Sequence, residues 1–400
     1  MSAGQPPEHA DRIPQRPLPR NVKVLGWVSF LNDVASEMIF PLLPQFLLTV
    51  LGGNRFSLGV IEGIVDSASS LVKLWSGSWS DRIGSRKGLV VFGYALAAVT
   101  RPLIGIVTAP WQLLVIRLAD RFGKGTRNPP RDALIADSVA SEIRGRAFGF
   151  NRAMDHLGAA VGPILAAVFL LLWPGQYRAL FLLALIPGLL VVLLLSFGLR
   201  ETFRRSAAGE RMTWTLKPFG KGFRGYLVAL VIFTLGNSSD AFLLVRAGEL
   251  GVATAMLPVL WCVFHVLKSG GNMIAGRAVD KIGSRPMILL GWTLYAGIYL
   301  GFAVASTAWQ VWLLFAGYAM FYAFTEPAEK TLVASLVGPE QRGLAYGWFN
   351  AAVGIGTLPA SLLFGWLYQT FGALTAFGMS GALAVLAGLM LLGIGAERPR

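Results

Sequence analysis

The sequence predicts an all-α membrane protein: twelve transmembrane helices in two pseudo-symmetric six-helix bundles. Three observations carry that expectation. The composition is apolar and charge-poor, one long basic connection divides twelve apolar segments six and six, and two motifs recur about half a chain apart. Of 400 residues, 54% are hydrophobic and 14% charged, with a mean hydropathy of +0.59. Soluble domains carry roughly 25% charged residues, so soluble, disordered and coiled-coil classes are excluded. Cys262 is the only cysteine, which excludes a disulfide scaffold.

A crossing needs about 20 largely apolar residues. Segments of this kind lie at 23–49, 57–79, 88–108, 111–133, 146–172 and 177–199, then at 225–247, 252–275, 286–306, 309–332, 343–368 and 371–395. Prolines and charges interrupt the first, fourth and tenth, so a simple hydropathy window undercounts them. The organisation is therefore a tail at 1–22, a bundle at 23–200, a linker at 201–224, a bundle at 225–395 and a short tail at 396–400. The first tail has no signal-peptide cleavage pattern. The net charge is +14, and its cations cluster in the first tail, the loop after span 2, the linker and the loop after span 8. Loops on the other side are nearly neutral. By the positive-inside rule both termini are cytoplasmic, in a multi-pass protein of a bacterial inner membrane whose basic loops face an anionic leaflet. The cations thus have a use other than nucleic acid.

The two halves repeat. Gly77, Asp81, Arg82, Gly84, Arg86 and Lys87 follow span 2, and Gly276, Asp280, Gly283 and Arg285 follow span 8 at an offset of 199. Arg144-Gly145 recurs as Arg342-Gly343 at an offset of 198. Duplicated halves build a substrate site between them near mid-membrane.

On these motifs the chain resembles the major facilitator superfamily over essentially its whole length. The loop pattern G-x-x-x-D-R-x-G-x-R-R/K stands complete after span 2. Span 4 carries Arg121-FGK-Gly125, and span 5 carries Gly158-AAV-Gly162-Pro163, where Leu165 and Ala166 replace the following glycine pair of the drug/proton antiporters. Further strings are similar to a bacterial permease and exporter subgroup. The resemblance implies the major facilitator fold, secondary transport, and gating or structural roles for these motif positions. A Gly and an Asp four residues apart share a helix face, where the small residue admits a neighbouring helix and Asp81 meets a helix N-terminus or an arginine.

Ionisable residues inside spans are costly, at about 2.5–3.5 kcal/mol each on insertion scales, and so face a cavity or one another. Asp33 and Glu37 in span 1, and Glu62 and Asp66 in span 2, are i,i+4 pairs. Like charges one turn apart repel, and a carboxylate in such a pair is suited to exchanging a proton. Asp33, Glu37 and Asp66 are therefore proton-coupling candidates. Arg121 joins them because the resemblance places it at a position tied to proton transfer. Glu62 is expected near the outer interface. Arg101 and Arg117 suit an anionic substrate group, against the rival reading that they only neutralise the carboxylates. Asn32, Phe40, Asn237, Asp240, Trp261, Tyr322 and Glu326 complete the substrate-binding candidates, the aromatics suiting an amphipathic ligand. At the repeat offset, Arg131 and Asp132 align with Glu329 and Lys330, which suggests a latch between halves (Arg131 with Glu329, or Asp132 with Lys330).

No nucleotide-binding loop, catalytic triad or metal motif occurs in the sequence, so no cofactor, metal or enzymatic activity is expected. The partners expected are a small-molecule substrate, protons and the bilayer, with the chain a monomer. The expected function is proton-coupled secondary transport by alternating access, exporting an amphipathic molecule or drug. Uptake of a small organic anion is the alternative, and a non-transporting receptor or scaffold the third.

Overall fold

The computed structural model describes residues 17–83, 86–140, 143–201, 215–338 and 341–394; within these, side chains are not described at 73–83, 144, 145, 273, 276, 277, 280, 342 and 343. All regular structure among the described residues is helical. The first half comprises α1 (Arg20–Glu37), α2 (Leu43–Thr49), α3 (Arg55–Ile83), α4 (Arg86–Leu103), α5 (Pro110–Asp137), α6 (Arg144–Leu172), α7 (Tyr177–Leu183) and α8 (Leu185–Gly198). The second comprises α9 (Lys221–Gly236), α10 (Ala241–Glu249), α11 (Leu257–Ile282), α12 (Ser284–Val304), α13 (Ala308–Ser335) and α14 (Arg342–Gly393). The last is two helical runs joined at Gly372, whose φ of 82° turns the chain sharply and suits a residue without Cβ.

Among the described residues six stretches are long and apolar enough to cross a membrane, the last of them Leu344–Gly393. The helices α1, α5 and α13, which carry the first, fourth and tenth segments, fall outside that set, as do α3 and α11.

Where the sequence reads one segment at 23–49, the structure has two helices. The chain leaves α1 at Met38 and passes through a 3₁₀ turn at Phe40–Leu42 before α2 begins. Pro41 and Pro44 explain the break, because each lacks a backbone donor and restricts the residue before it. The segment at 225–247 is likewise broken between Gly236 and Ala241, at Asn-Ser-Ser-Asp. These side chains compete with the helical backbone, and the Tyr295 hydroxyl donates to Gly236 O at 2.9 Å. By contrast, α5 runs through Pro129-Pro130 and α13 through Pro327.

Small residues set the closest helix contacts. A Cβ at Gly158 would stand 2.4 Å from Phe30 O, and one at Gly162 would stand 2.7 Å from Val34 O and 3.1 Å from the Glu37 Cβ. The Gly-x-x-x-Gly stretch of α6 therefore lies against the α1 backbone where Asp33 and Glu37 project. A second seam joins the halves: Gly59 and Gly63 of α3 face Ser361 and Gly365 of α14, and Ser67 Oγ donates to Gly354 O at 2.8 Å. In the second half the interior is a stack of aromatics, with Phe233 against Trp292 at 4.6 Å and Tyr295 against Tyr299 at 4.0 Å between ring centroids.

The two ends of the molecule differ. At the basic end, Arg86 pairs with Asp137, Lys87 Nζ donates to Leu199 O at 2.7 Å, and Arg285 donates to the Leu391 and Leu392 carbonyls. Glu201 accepts from the Arg86 and Lys87 backbone N–H groups, which places an anion at the N-terminus of α4. At the neutral end the halves are clasped. Arg55 of α3 pairs with Glu249 of α10, Tyr368 Oη donates to Glu249 Oε2 at 2.6 Å, and the Arg55 N–H donates to Gln369 Oε1 at 3.1 Å.

Candidate functional site

Three cavities adjoin one another, the first within the first half and the other two between the halves. The first, about 120 Å³, is lined chiefly from α1, α4 and α5 and has Asp33, Glu37, Arg101, Arg117, Arg121 and Arg127 in its wall. The second, about 260 Å³, shares Phe40 and Arg121 with it and adds Glu62, Asp66 and the Asn237–Asp240 break. The third, about 370 Å³, shares Asp33, Glu37 and Arg127 with the first and widens toward the basic end between Arg131, Arg152, Lys268 and Lys330. The halves are thus clasped at one end and separated by a charged cavity toward the other.

Most charges in the wall are held by specific partners. Arg117 Nη2 reaches both Glu62 oxygens, at 2.6 and 2.8 Å, with both residues buried. Glu62 is 2% exposed, so it does not reach the outer interface; the arginine one helix away draws it inward. Arg101 Nε donates to Asp120 Oδ1 at 3.0 Å, and Arg101 Nη1 donates to the backbone and side-chain oxygens of Asn32. Asn32 Oδ1 accepts also from Arg127 Nη2 at 3.2 Å, while Asn32 Nδ2 donates to Asp33 Oδ1 at 2.9 Å. Asn32 is therefore a hub between two guanidinium groups and a candidate proton carrier. Arg121 lies 3.7 Å from Asp66, a looser pair with the Asp66 side chain 36% exposed.

Arg127 is a site residue that the sequence reading missed. It is 2% exposed, donates to the neutral acceptors Gly93 O and Asn32 Oδ1, and stacks over the Tyr94 ring at 4.3 Å. Among the described residues no carboxylate stands within ion-pair distance of it, and its Nε has no hydrogen-bond partner. The available signal was its place in the Gly-rich GKGTRNPP string, on the same helix as Arg121 and shortly after it.

The second half supplies fewer charges. Asp240 accepts from Tyr318 Oη at 2.6 Å and Tyr322 Oη at 3.3 Å. Glu326 pairs with Lys268 at 3.5 Å, and Lys268 sits 3.9 Å over the Tyr322 ring. Among the described residues, two hydrogen bonds cross between halves inside the site: Trp261 Nε1 donates to Glu37 Oε2 at 2.8 Å, and Ser239 Oγ donates to Glu62 Oε2 at 3.4 Å. Phe40 packs on Trp261 at 5.1 Å. The structure thus gathers Asn32, Asp33, Glu37, Phe40, Asp66, Arg101, Arg117 and Arg121 around one site, with Asn237, Asp240, Trp261, Tyr322 and Glu326 across from them.

The suggested latch is not formed in this structure. Arg131 pairs with Asp132 on its own helix at 2.9 Å and donates to Ser29 Oγ at 3.3 Å, and the third cavity lies between it and Lys330. Neither Arg131–Glu329 nor Asp132–Lys330 is an ion pair here, because the halves are apart at that end. Gly125 packs on Val72 and Ser69 of α3, and Pro163 lies inside α6. Gly84 falls outside the described residues, as do the side chains at Gly77, Asp81, Arg82, Gly276 and Asp280. Among the described residues no group of His, Cys, Asp and Glu is arranged to hold a metal ion.

The chain is similar to known transporters over most of its length. The family model described as Major Facilitator Superfamily matches residues 25–266 and 225–400. An uncharacterized MFS-type transporter of Methanocaldococcus jannaschii is 33% identical over 385 residues, covering 94% of this chain and 95% of that protein. The multidrug resistance protein MdtH of Photorhabdus laumondii is 25% identical over 367 residues, covering 89% and 88%. The fold is also that of a bacterial homolog of the human lysosomal transporter Spinster, solved in an inward-facing and occupied conformation. Its TM-score is 0.76 at 15% identity, covering 93% of this chain and 96% of that one.

Proposed function

Because the chain belongs to the major facilitator superfamily and is a membrane-embedded, multi-pass transporter, we propose that it is a proton-coupled carrier of a small organic anion. In this reading twelve spans form two six-helix halves, residues 23–200 and 225–395, in a monomer with both termini cytoplasmic. The basic end is then the cytoplasmic end, and the structure is an inward-facing state of an alternating-access cycle.

The observation that carries the anion reading is Arg127. A buried guanidinium bonded only to neutral acceptors, beside Arg101 and Arg121 in a cavity wall, supports binding of a carboxylate or phosphate group from solution. Asp33 and Glu37 stand on the same wall, one turn apart on α1. Protonating either leaves the cavity more positive, so proton and anion would load together.

The amphipathic export reading is the second one. It is favoured by the similarity to a protein named for multidrug resistance, whereas most of the second half's aromatics are packed against one another rather than lining the cavity.

Proteoliposomes loaded with a pH-sensitive dye and challenged with C3 to C6 mono- and dicarboxylates test the proposal. Wild type is expected to acidify the lumen with at least one acid, and Asp33→Asn to abolish that proton flux. Equal, proton-independent flux in both variants would overturn the coupling. Flux of ethidium with no response to any carboxylate would favour amphipathic export instead.

A further inference from the structure

We infer that the cavity also carries a subsite for an ammonium group, so that the substrate is a zwitterion whose two charges are read by opposite halves of the molecule. This rests on the anion-carrier reading and narrows it.

The two cavities that share Phe40 and Arg121 have opposite character. On the α1–α4–α5 side the wall is dominated by guanidinium groups, with Arg127 lacking a carboxylate partner. On the other side three carboxylates, Glu62, Asp66 and Asp240, face a single cation, Arg121. Glu62 is already neutralised by Arg117. Among the described residues, the ion pair of Asp66 is the 3.7 Å contact with Arg121. Asp240 has no cation within ion-pair distance among the described residues and is held by the Tyr318 and Tyr322 hydroxyls. Two carboxylates from opposite halves, Asp66 on α3 and Asp240 at the break before α10, thus line one cavity and share one loosely paired cation among the described residues.

A second observation is independent of the charges. The break in the second half places Asn237 in the same cavity wall, and the Asn237 Oδ1 atom is buried with no hydrogen-bond partner among the described residues. Buried polar atoms are nearly always bonded, so an acceptor left open at a cavity wall calls for a donor. A primary ammonium supplies three donors and one positive charge, which matches the open acceptor oxygen of Asn237 beside two carboxylates. Phe40 and Tyr322 complete the wall, and their rings suit a cation or the short apolar spacer joining the two charges. Arg121 stands where the two cavities meet. A carboxylate bound at Arg127 would place its own amine on the Asp66 and Asp240 side.

The test compares three probes of one chain length, 5-aminopentanoate, pentanoate and pentylamine, by saturation-transfer NMR on the full chain in lipid nanodiscs. The amino acid is expected to bind at least tenfold more tightly than the acid or the amine. Asp240→Asn is expected to bring its affinity down to that of pentanoate. Asp66→Asn, at a half-exposed position that tolerates exchange, is expected to weaken the amino acid several-fold and guards against a fold defect in the first variant. Equal binding of pentanoate and 5-aminopentanoate by wild type would overturn the ammonium subsite and leave the anion reading standing. Binding of neither would overturn both, and preference for pentylamine would overturn the anion reading.

Discussion

Glu62 and Arg117 carry the sharpest residue-scale expectation. Both are buried, and the guanidinium bonds both carboxylate oxygens. Removing one partner leaves a desolvated charge, so Glu62→Ala should cost about 3–5 kcal/mol, whereas Glu62→Ala with Arg117→Ala should cost less than the sum of the two. Thermal unfolding in detergent of the four proteins in that cycle measures it; additive losses would show that the pair is not coupled. The identity of the charged residues was legible in the sequence, and so was their confinement to a cavity, since hydrocarbon tolerates few charges. Their partners were not. Glu62 and Asp66 are one turn apart on α3, yet the first is locked to Arg117 and the second stays half exposed beside Arg121. Helical spacing fixes which face a residue occupies within its own helix, but the partner depends on the rotation of the next helix, which no local pattern encodes. Arg127 was missed for the same reason, because its significance lies in having only neutral acceptors.

For the helices, the contact of α1 with α6 depends on two absent side chains. A Cβ at Gly158 would fall 2.4 Å from a backbone oxygen, which cannot move aside as a flexible side chain would. Gly158→Leu should therefore push α6 off α1, displace Asp33 and Glu37, and remove transport even where the protein still inserts. Gly149→Ala, where the added Cβ meets nothing within 4 Å, should leave melting temperature within a degree or two. Comparable melting of the two variants would disprove the close-packing account. The Gly-x-x-x-Gly-Pro string announced such a contact, although its partner helix was unreadable. The interruptions of the first and seventh segments were only half legible. Pro41 and Pro44 gave notice of one, while Asn-Ser-Ser-Asp in an apolar run gave a quieter sign of the other.

Across the whole molecule, the clasp at the neutral end opposes the charged opening toward the basic end. Arg55 pairs with Glu249 across the halves there, and Tyr368, in the same half as Glu249, bonds the same carboxylate. Glu249→Ala should release both and shift the population toward the state open at the neutral end. Double electron–electron resonance between labels at Val50→Cys and Phe371→Cys, in a Cys262→Ser background, should show the long-distance component gaining weight; an unchanged distribution would mean that the clasp does not hold the equilibrium. An all-α membrane fold and a repeat of motifs between its halves were legible from composition and motif spacing. The conformational state was not, because one sequence must be compatible with every state of the cycle.

The seam of α3 against α14 bears on how often such a cycle can be run. Gly59, Gly63, Gly354 and Gly365 have no rotamers to lose, and Ser67 and Ser361 have few. Each closing of a seam lined with leucine or methionine would freeze side chains, at roughly 0.5–2 kcal/mol apiece. Here, apart from Leu358 against Gly63, little at these glycine and serine positions needs to be ordered on closing or is set loose on parting. The contact can be unmade and remade on every turnover with little entropy exchanged, which favours a fast return of the empty carrier.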